Sequence, residues 1–128
     1  VSDAFVLDAS ALLCLLNGET GATRVAGALG RSVISAVNLS EVVAKLTDSG
    51  GSAVEIAAAI ESLQLEVVPF DELQAMRAGL LRQRTRRAGL SFGDRACLAL
   101  GENRGAIVLT CDGAWSTLDL GVTIEQLR

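Results

Sequence analysis

Histidine is missing altogether from the 128 residues, and lysine occurs once, at Lys45. Without an imidazole the chain has no His-dependent acid–base pair, no serine–histidine nucleophile and none of the common His-bearing zinc sites. Long hydrophobic runs are missing too. The longest, Ala11 to Leu16, falls far short of the ~18 residues that span a bilayer, so no membrane partner is expected. No basic segment leads into a hydrophobic stretch near Val1, so no signal peptide is expected and the compartment reads as cytoplasmic. Cysteine is sparse: Cys14, Cys97 and Cys111 are odd in number and far apart in sequence, which makes no disulfide framework. They read as small core residues. The net charge is −4, so the whole molecule is not an electrostatic glove for DNA, and any grip on nucleic acid must be local or carried by a metal.

What the chain does have is apolar surface. The apolar set is 50% of residues, and the 13 glycines bring it to about 60%, against ~45–50% in ordinary globular chains. Disorder is excluded as the main state. The surplus points to surface covered by a partner, and the length suits one domain over residues 1–128.

Strand and helix patterns alternate. Ala4–Leu7 is a short unbroken apolar run, as in a strand covered on both faces. Ser10 is placed to cap a helix through Leu16, and a weaker helix interrupted by Gly27 follows over Thr20–Leu29. Ser32–Ile34 reads as the second strand, and Asn38 as the cap of a helix with Leu39, Val42, Val43 and Leu46 on one stripe. Ser49-Gly50-Gly51 ends it. Ala53 to Leu63 forms the next helix, Glu66–Val68 the third strand, and Asp71 opens a long helix with Leu73, Met76, Leu80 and Leu81 inward. That helix ends in the arginine-rich stretch Arg82 to Arg87. Ser91 caps another helix to Asn103, Ala106–Leu109 is the fourth strand, and Val122–Ile124 a fifth at the edge. Strands separated by helices pair in parallel through right-handed crossovers. The expected fold is a three-layer α/β/α sandwich with a mostly parallel central sheet of four to five strands.

Four of the 15 acidic residues stand where such a fold converges. Asp8 follows the first strand and Asp112 the fourth, at the carboxyl edge where parallel sheets bind ligands. Glu41 and Asp94 sit at the third positions of the helices assigned to Asn38 and Ser91, whose first turns arrive at the same edge. Helical spacing puts Asp94 on the face of Cys97, Leu98 and Gly101, and an inward carboxylate must be paired, protonated or bound to a cation. Plainer roles also fit. Ser91-Phe92-Gly93-Asp94 has capping-box spacing and Asn38-Leu39-Ser40-Glu41 a looser version of it. Glu41 also has Lys45 four residues on, and Asp8 and Asp112 fit ordinary turn residues. It is the joint placement that points to chemistry. Converging carboxylates repel, hard cations such as Mg²⁺ or Mn²⁺ relieve that repulsion, and such a centre can activate water against a phosphodiester.

At these residues the sequence resembles the PIN-domain ribonuclease toxins of the VapC type, from bacterial toxin–antitoxin pairs. The similar stretches are Phe5-Val-Leu-Asp-Ala-Ser-Ala-Leu-Leu13, Ile34 to Leu46, Thr85 to Leu100 and Val108-Leu-Thr-Cys-Asp-Gly-Ala-Trp115, in family order over nearly the whole chain. The resemblance implies a Mg²⁺- or Mn²⁺-dependent endoribonuclease with catalytic Asp8, Glu41, Asp94 and Asp112. It puts Asp8, Asp94 and Asp112 nearest the metal, Glu41 acting through water, and Ser10 and Thr110 as supporting hydroxyls. Gly113 stands where relatives often carry arginine, and Cys111 where many carry a small apolar residue. The resemblance also implies a homodimer that binds a cognate antitoxin, whose helical tail would cover a groove near residues 10–29 and 39–63. Arg82, Arg84, Arg86 and Arg87 lead toward Ser91, so the last three are candidates for RNA phosphates, although a solvated helix end fits equally. Trp115 reads as packing before base stacking. A PIN-fold binding module without chemistry is the alternative. A phospho-acceptor or phosphatase-like domain fits less well, since Asp8 stands alone, Ser10 occupies the place of a second aspartate and Lys45 is not on a late strand.

Overall fold

Phe5-Val6-Leu7 is buried along its whole length and forms β1 (Phe5–Leu7), the centre of the sheet. The computed structural model describes residues 4–113, 115 and 119–128. Around β1 lie β2 (Ser32–Ser35), β3 (Glu66–Val68), β4 (Ile107–Thr110) and β5 (Ile124–Gln126), in the order β3-β2-β1-β4-β5. Every neighbouring pair is parallel, with Leu7 level with Ile34 on one side and Leu109 on the other. Seven helices join the strands among the described residues: α1 (Ala9–Leu16), α2 (Ala22–Ala28), α3 (Ala36–Asp48), α4 (Ala53–Ser62), α5 (Glu72–Leu80), α6 (Arg82–Thr85) and α7 (Phe92–Arg104).

The pleat sorts the core into two faces. Val6, Val33 and Val108 pack with Ala78, Leu81 and Leu98 beneath α5 and α7. Phe5, Leu7 and Leu109 pack with Ala11, Val25 and Ala28 of α1 and α2 on the other side. The three-layer α/β/α expectation holds, with a wholly parallel five-stranded sheet. Gly101 allows α7 to lie close on β4, because a Cβ there would stand 2.6 Å from Val108 Cγ2. Among the described residues no helix is long and apolar enough to cross a membrane.

The strand order places the site. From β1 the chain steps outward to β2 and β3, then returns across the sheet to β4 on the other side of β1. The crevice between the carboxyl ends of β1 and β4 is therefore the topological switch point, where open parallel sheets receive ligands.

Several sequence expectations need correcting. Asp8, not Ser10, caps α1, accepting from the Ala11 N–H. Ser35, not Asn38, caps α3, because β2 runs straight into the helix and the Ser35 hydroxyl accepts from Val37 N. Glu41 therefore sits in the second turn rather than at the third position. The fourth and fifth strands begin one and two residues later than expected, at Ile107 and Ile124. The inward stripe of α5 is also different. Leu73, Met76 and Leu80 are 53%, 60% and 70% exposed, while Gln74 and Ala78, with Leu81 just beyond the helix, face the core. Small Ala78 lets α5 pack tightly on α7, which turns the larger apolar side chains outward.

Candidate active site

Asp8 leaves β1 at the switch point and turns at once into α1. One oxygen, Oδ1, accepts from Ala11 N at 2.8 Å and from the Ser10 hydroxyl at 2.7 Å. The other, Oδ2, accepts from the Thr110 hydroxyl at 2.6 Å. Each hydroxyl is fixed from behind: Ser10 Oγ accepts from Cys111 N and Thr110 Oγ1 from Asp112 N, both at 2.9 Å. Two hydroxyls thus link the carboxylate after β1 to successive amides after β4. Asp112 is joined to this link by its backbone amide, and the residue is half-buried.

Asp8 is 5% exposed. Burial pushes its pKa above the ordinary carboxylate range, outweighing the three hydrogen bonds that lower it, and the charge of Asp94 pushes it further up.

Glu41 and Asp94 form the opposite wall. Asn38 is buried in α3, and its Nδ2 donates to Glu41 Oε1 at 2.8 Å and to the Gly93 carbonyl at 3.0 Å. A Cβ at Gly93 would land on the Glu41 carboxylate, so glycine leaves the space that this carboxylate occupies against α7. One residue on, Asp94 completes a capping box with Ser91: its Oδ2 accepts from Ser91 N at 3.0 Å, and Ser91 Oγ accepts from Asp94 N at 3.2 Å. The capping role foreseen for Asp94 is present, and the helix it caps carries the carboxylate to the site. Glu41 is held by Asn38, the residue taken from sequence for a helix cap. Asn38 and Gly93 are the site residues that sequence reasoning passed over. A glycine in the first turn of a helix was the available signal.

The buried Cys97 thiol registers the convergence. Its pKa is pushed well above the usual thiol value, first by burial and then by the charges of Asp8, Asp94 and Glu41. The charges of three of the four carboxylates therefore reach this thiol in α7. Among the described residues no three His, Cys, Asp or Glu side chains stand at spacings that already grip an ion. The donor set nonetheless suits a hard cation. It is all oxygen, and no Lys or Arg pairs with Asp8, Glu41 or Asp94 among the described residues. The buried Asn38 Oδ1 has no hydrogen-bond partner there.

The arginines divide. Arg84 is paired with Glu102 at 3.3 Å and Arg77 reaches the same carboxylate at 3.6 Å, while Arg82, Arg86 and Arg87 are exposed. Trp115 is completely buried in the core beneath α7, so it is packing and offers no stacking face. Cys14 and Cys97 are buried, but Cys111 is partly exposed, which corrects its reading as a core residue.

The family model of the PIN domain matches residues 5–120. No curated protein sequence matches the chain. Among solved structures, the chain is similar to a DNA-bound VapBC from Salmonella typhimurium, with TM-score 0.74, 22% identity and 100% of both chains covered. It is also similar to VapBC2 from Rickettsia felis bound to a promoter DNA fragment, with TM-score 0.76, 14% identity and 97% and 98% covered. A third is VapBC-5 from Mycobacterium tuberculosis, a member of the VapBC family of toxin–antitoxin systems, with TM-score 0.63, 23% identity and 98% of each chain covered.

Proposed function

The chain belongs to the PIN-domain family, and from that premise we propose that it is one nuclease domain, an endoribonuclease toxin of a VapC-type toxin–antitoxin pair that hydrolyses RNA phosphodiester bonds. The observation that carries the reading is Asp8: a carboxylate buried at the switch point, fixed by Ser10 and Thr110, with Asp94 close enough to raise its pKa.

Asp8, Asp94 and Asp112 would hold Mg²⁺ or Mn²⁺, with Glu41 acting through water. When bound, the ion supplies activation of water and neutralises charge building on the phosphoryl group. The chain's own residues prepare the rest. Ser10 and Thr110 keep Asp8 from rotating, and Asn38 aims Glu41 into the space left open at Gly93. Exposed Arg86 and Arg87 suit RNA phosphates; Arg84, shared with Glu102, is less available.

Incubation with single-stranded RNA, with and without chelator, tests the reading. Products should carry 5′-phosphate and 3′-hydroxyl ends, since no histidine pair exists to drive attack by a 2′-hydroxyl. Cyclic phosphate products or full activity in chelator overturn it, and binding without cleavage favours a non-catalytic module.

Partners follow from surface. The hollow of about 380 Å³ between α3 and α4, lined by Leu46, Gly51, Ile56 and Ala59, suits the helical tail of an antitoxin. The exposed stripe Leu73, Met76 and Leu80 suits a second copy. A two-fold axis near Met76 would set Leu73 against Leu80 of the other α5, and the acidic start at Asp71 and Glu72 against the basic end at Arg82. Met76→Glu should turn a homodimer into a monomer by light scattering; a dimer that persists removes α5 as the interface.

A further inference from the structure

The chain has no tyrosine, and its four aromatic side chains are Phe5, Phe70, Phe92 and Trp115, all within the described residues. Phe5 and Trp115 are buried, and the Arg24 guanidinium lies 4.9 Å from the centre of the Phe5 ring. Phe70 is half-buried against the core beneath α7. Phe92 is 50% exposed.

Two devices hold this exposed ring in place. The capping box of Ser91 and Asp94 fixes the first turn of α7, whose first residue is Phe92. Phe70 meets the Phe92 ring edge to face, with the centres 5.4 Å apart and the planes at 83°. Phe70 is itself set between Pro69, whose φ is fixed by its ring, and Asp71, which caps α5 by accepting from Gln74 N. The open part of the Phe92 ring is therefore presented in one orientation.

That ring stands beside the acidic crevice. The next residue is Gly93, which leaves room for the Glu41 carboxylate, and Asp94 follows. Phe70 lies two residues past the carboxyl end of β3, and β3 is the second strand from β1. At the usual strand spacing the end of β3 is on the order of 10 Å from the end of β1, where Asp8 sits. Charge favours a polyanion on this side. Residues 82–104 carry six basic and two acidic side chains, a net charge of +4, whereas the rest of the chain carries −8.

We propose that Phe92 is a base-stacking platform for RNA, on which the base of a nucleotide flanking the scissile phosphate lies while neighbouring phosphates meet Arg86 and Arg87. The proposal rests on the nuclease reading above and narrows its substrate to unpaired RNA, because a base inside a duplex keeps its faces stacked on its neighbours. Every base has a π face, so the platform selects an unpaired nucleotide rather than a particular base. A second copy of the chain is the competing occupant. The centres of protein interfaces are poor in charge, whereas Phe92 has Asp94 and Arg95 within three residues.

The test uses a short single-stranded RNA carrying the fluorescent base 2-aminopurine at successive positions, bound to the Asp8→Asn chain so that the strand survives. Stacking quenches this base, so its emission should fall at one position on binding. Adding Phe92→Ala should restore the emission and weaken affinity on the order of tenfold. Phe92→Trp should keep both signals, whereas Phe92→Leu, apolar but without a π face, should behave as Phe92→Ala. With Asp8 intact, Phe92→Ala should raise KM for RNA cleavage on the order of tenfold, with a much smaller change in kcat. Wild-type affinity in Phe92→Leu or in Phe92→Ala overturns the platform. A dimer lost in Phe92→Ala by light scattering, with RNA affinity per chain unchanged, overturns it too and assigns Phe92 to an interface between copies. A chain that quenches through Phe92 yet cuts no RNA leaves the platform standing and overturns the nuclease reading. Cleavage indifferent to Phe92→Ala does the reverse.

Discussion

The two sides of the acidic crevice are built on different principles. On the floor, Asp8, Ser10, Thr110 and Asp112 are positioned by sheet register. β1 and β4 lie side by side, and two hydroxyl links between them fix a buried carboxylate. On the wall, Glu41 and Asp94 come from α3 and α7, which meet through one side-chain amide and one missing Cβ. The floor stores electrostatic tension, since Asp8 is desolvated and pressed by Asp94. The wall depends on steric fit. Substitutions in the two regions should therefore fail in different ways.

Asp8→Asn should have the largest effect on activity, a loss on the order of a thousandfold, while leaving the metal-free fold at least as stable as wild type. Asn keeps an acceptor for Ala11 N and carries no charge to desolvate. The pH dependence follows from the raised pKa. The folded protein holds the Asp8 proton more tightly than the unfolded chain. Stability from this residue is therefore full below the ordinary carboxylate value and is lost as pH rises through the folded pKa. The stability advantage of Asp8→Asn should grow across that window in denaturant titrations; an advantage constant with pH would detach Asp8 from the tension.

Gly93→Ala attacks the wall. The added Cβ must displace the Glu41 carboxylate, the free end of a flexible side chain, so the expected loss is small in stability, below about 1 kcal/mol, and about a hundredfold in cleavage. Pairing it with Glu41→Ala discriminates the cause. The double variant should regain the lost stability and none of the activity. Asn38→Ala is milder in cleavage: it strands the Gly93 carbonyl and frees Glu41, at about 1–2 kcal/mol and roughly tenfold in rate. An effect as large as that of Asp8→Asn would erase the distinction between floor and wall.

How much was legible follows the same division. β1 and β4 could be read because unbroken apolar runs end at Asp8 and at Thr110-Cys111-Asp112, and the alternation of strand and helix then places both at one edge. The hydroxyls of Ser10 and Thr110 were named as supports by resemblance alone; their bonds to Asp8 depend on register, which no local pattern reveals. Asn38 was misassigned because Ser35 offers the same capping chemistry one turn earlier. Of the inward stripe assigned to α5 only Leu81 is buried; Leu73, Met76 and Leu80 make a better hydrophobic stripe than Gln74 and Ala78, while the close approach of α7 rewards the small residue.

The central claim is that the carboxylates at this edge form a strained group relieved by a divalent cation. Thermal melts of wild type and Asp8→Asn, in chelator and then in Mn²⁺, test it most directly. Wild type should gain about 2.7 kcal/mol at a hundredfold excess over the dissociation constant, whereas Asp8→Asn should start at or above wild type in chelator and gain little. If Asp8→Asn melts far below wild type in chelator and responds equally to Mn²⁺, Asp8 is a helix cap and the acidic edge is not a metal centre.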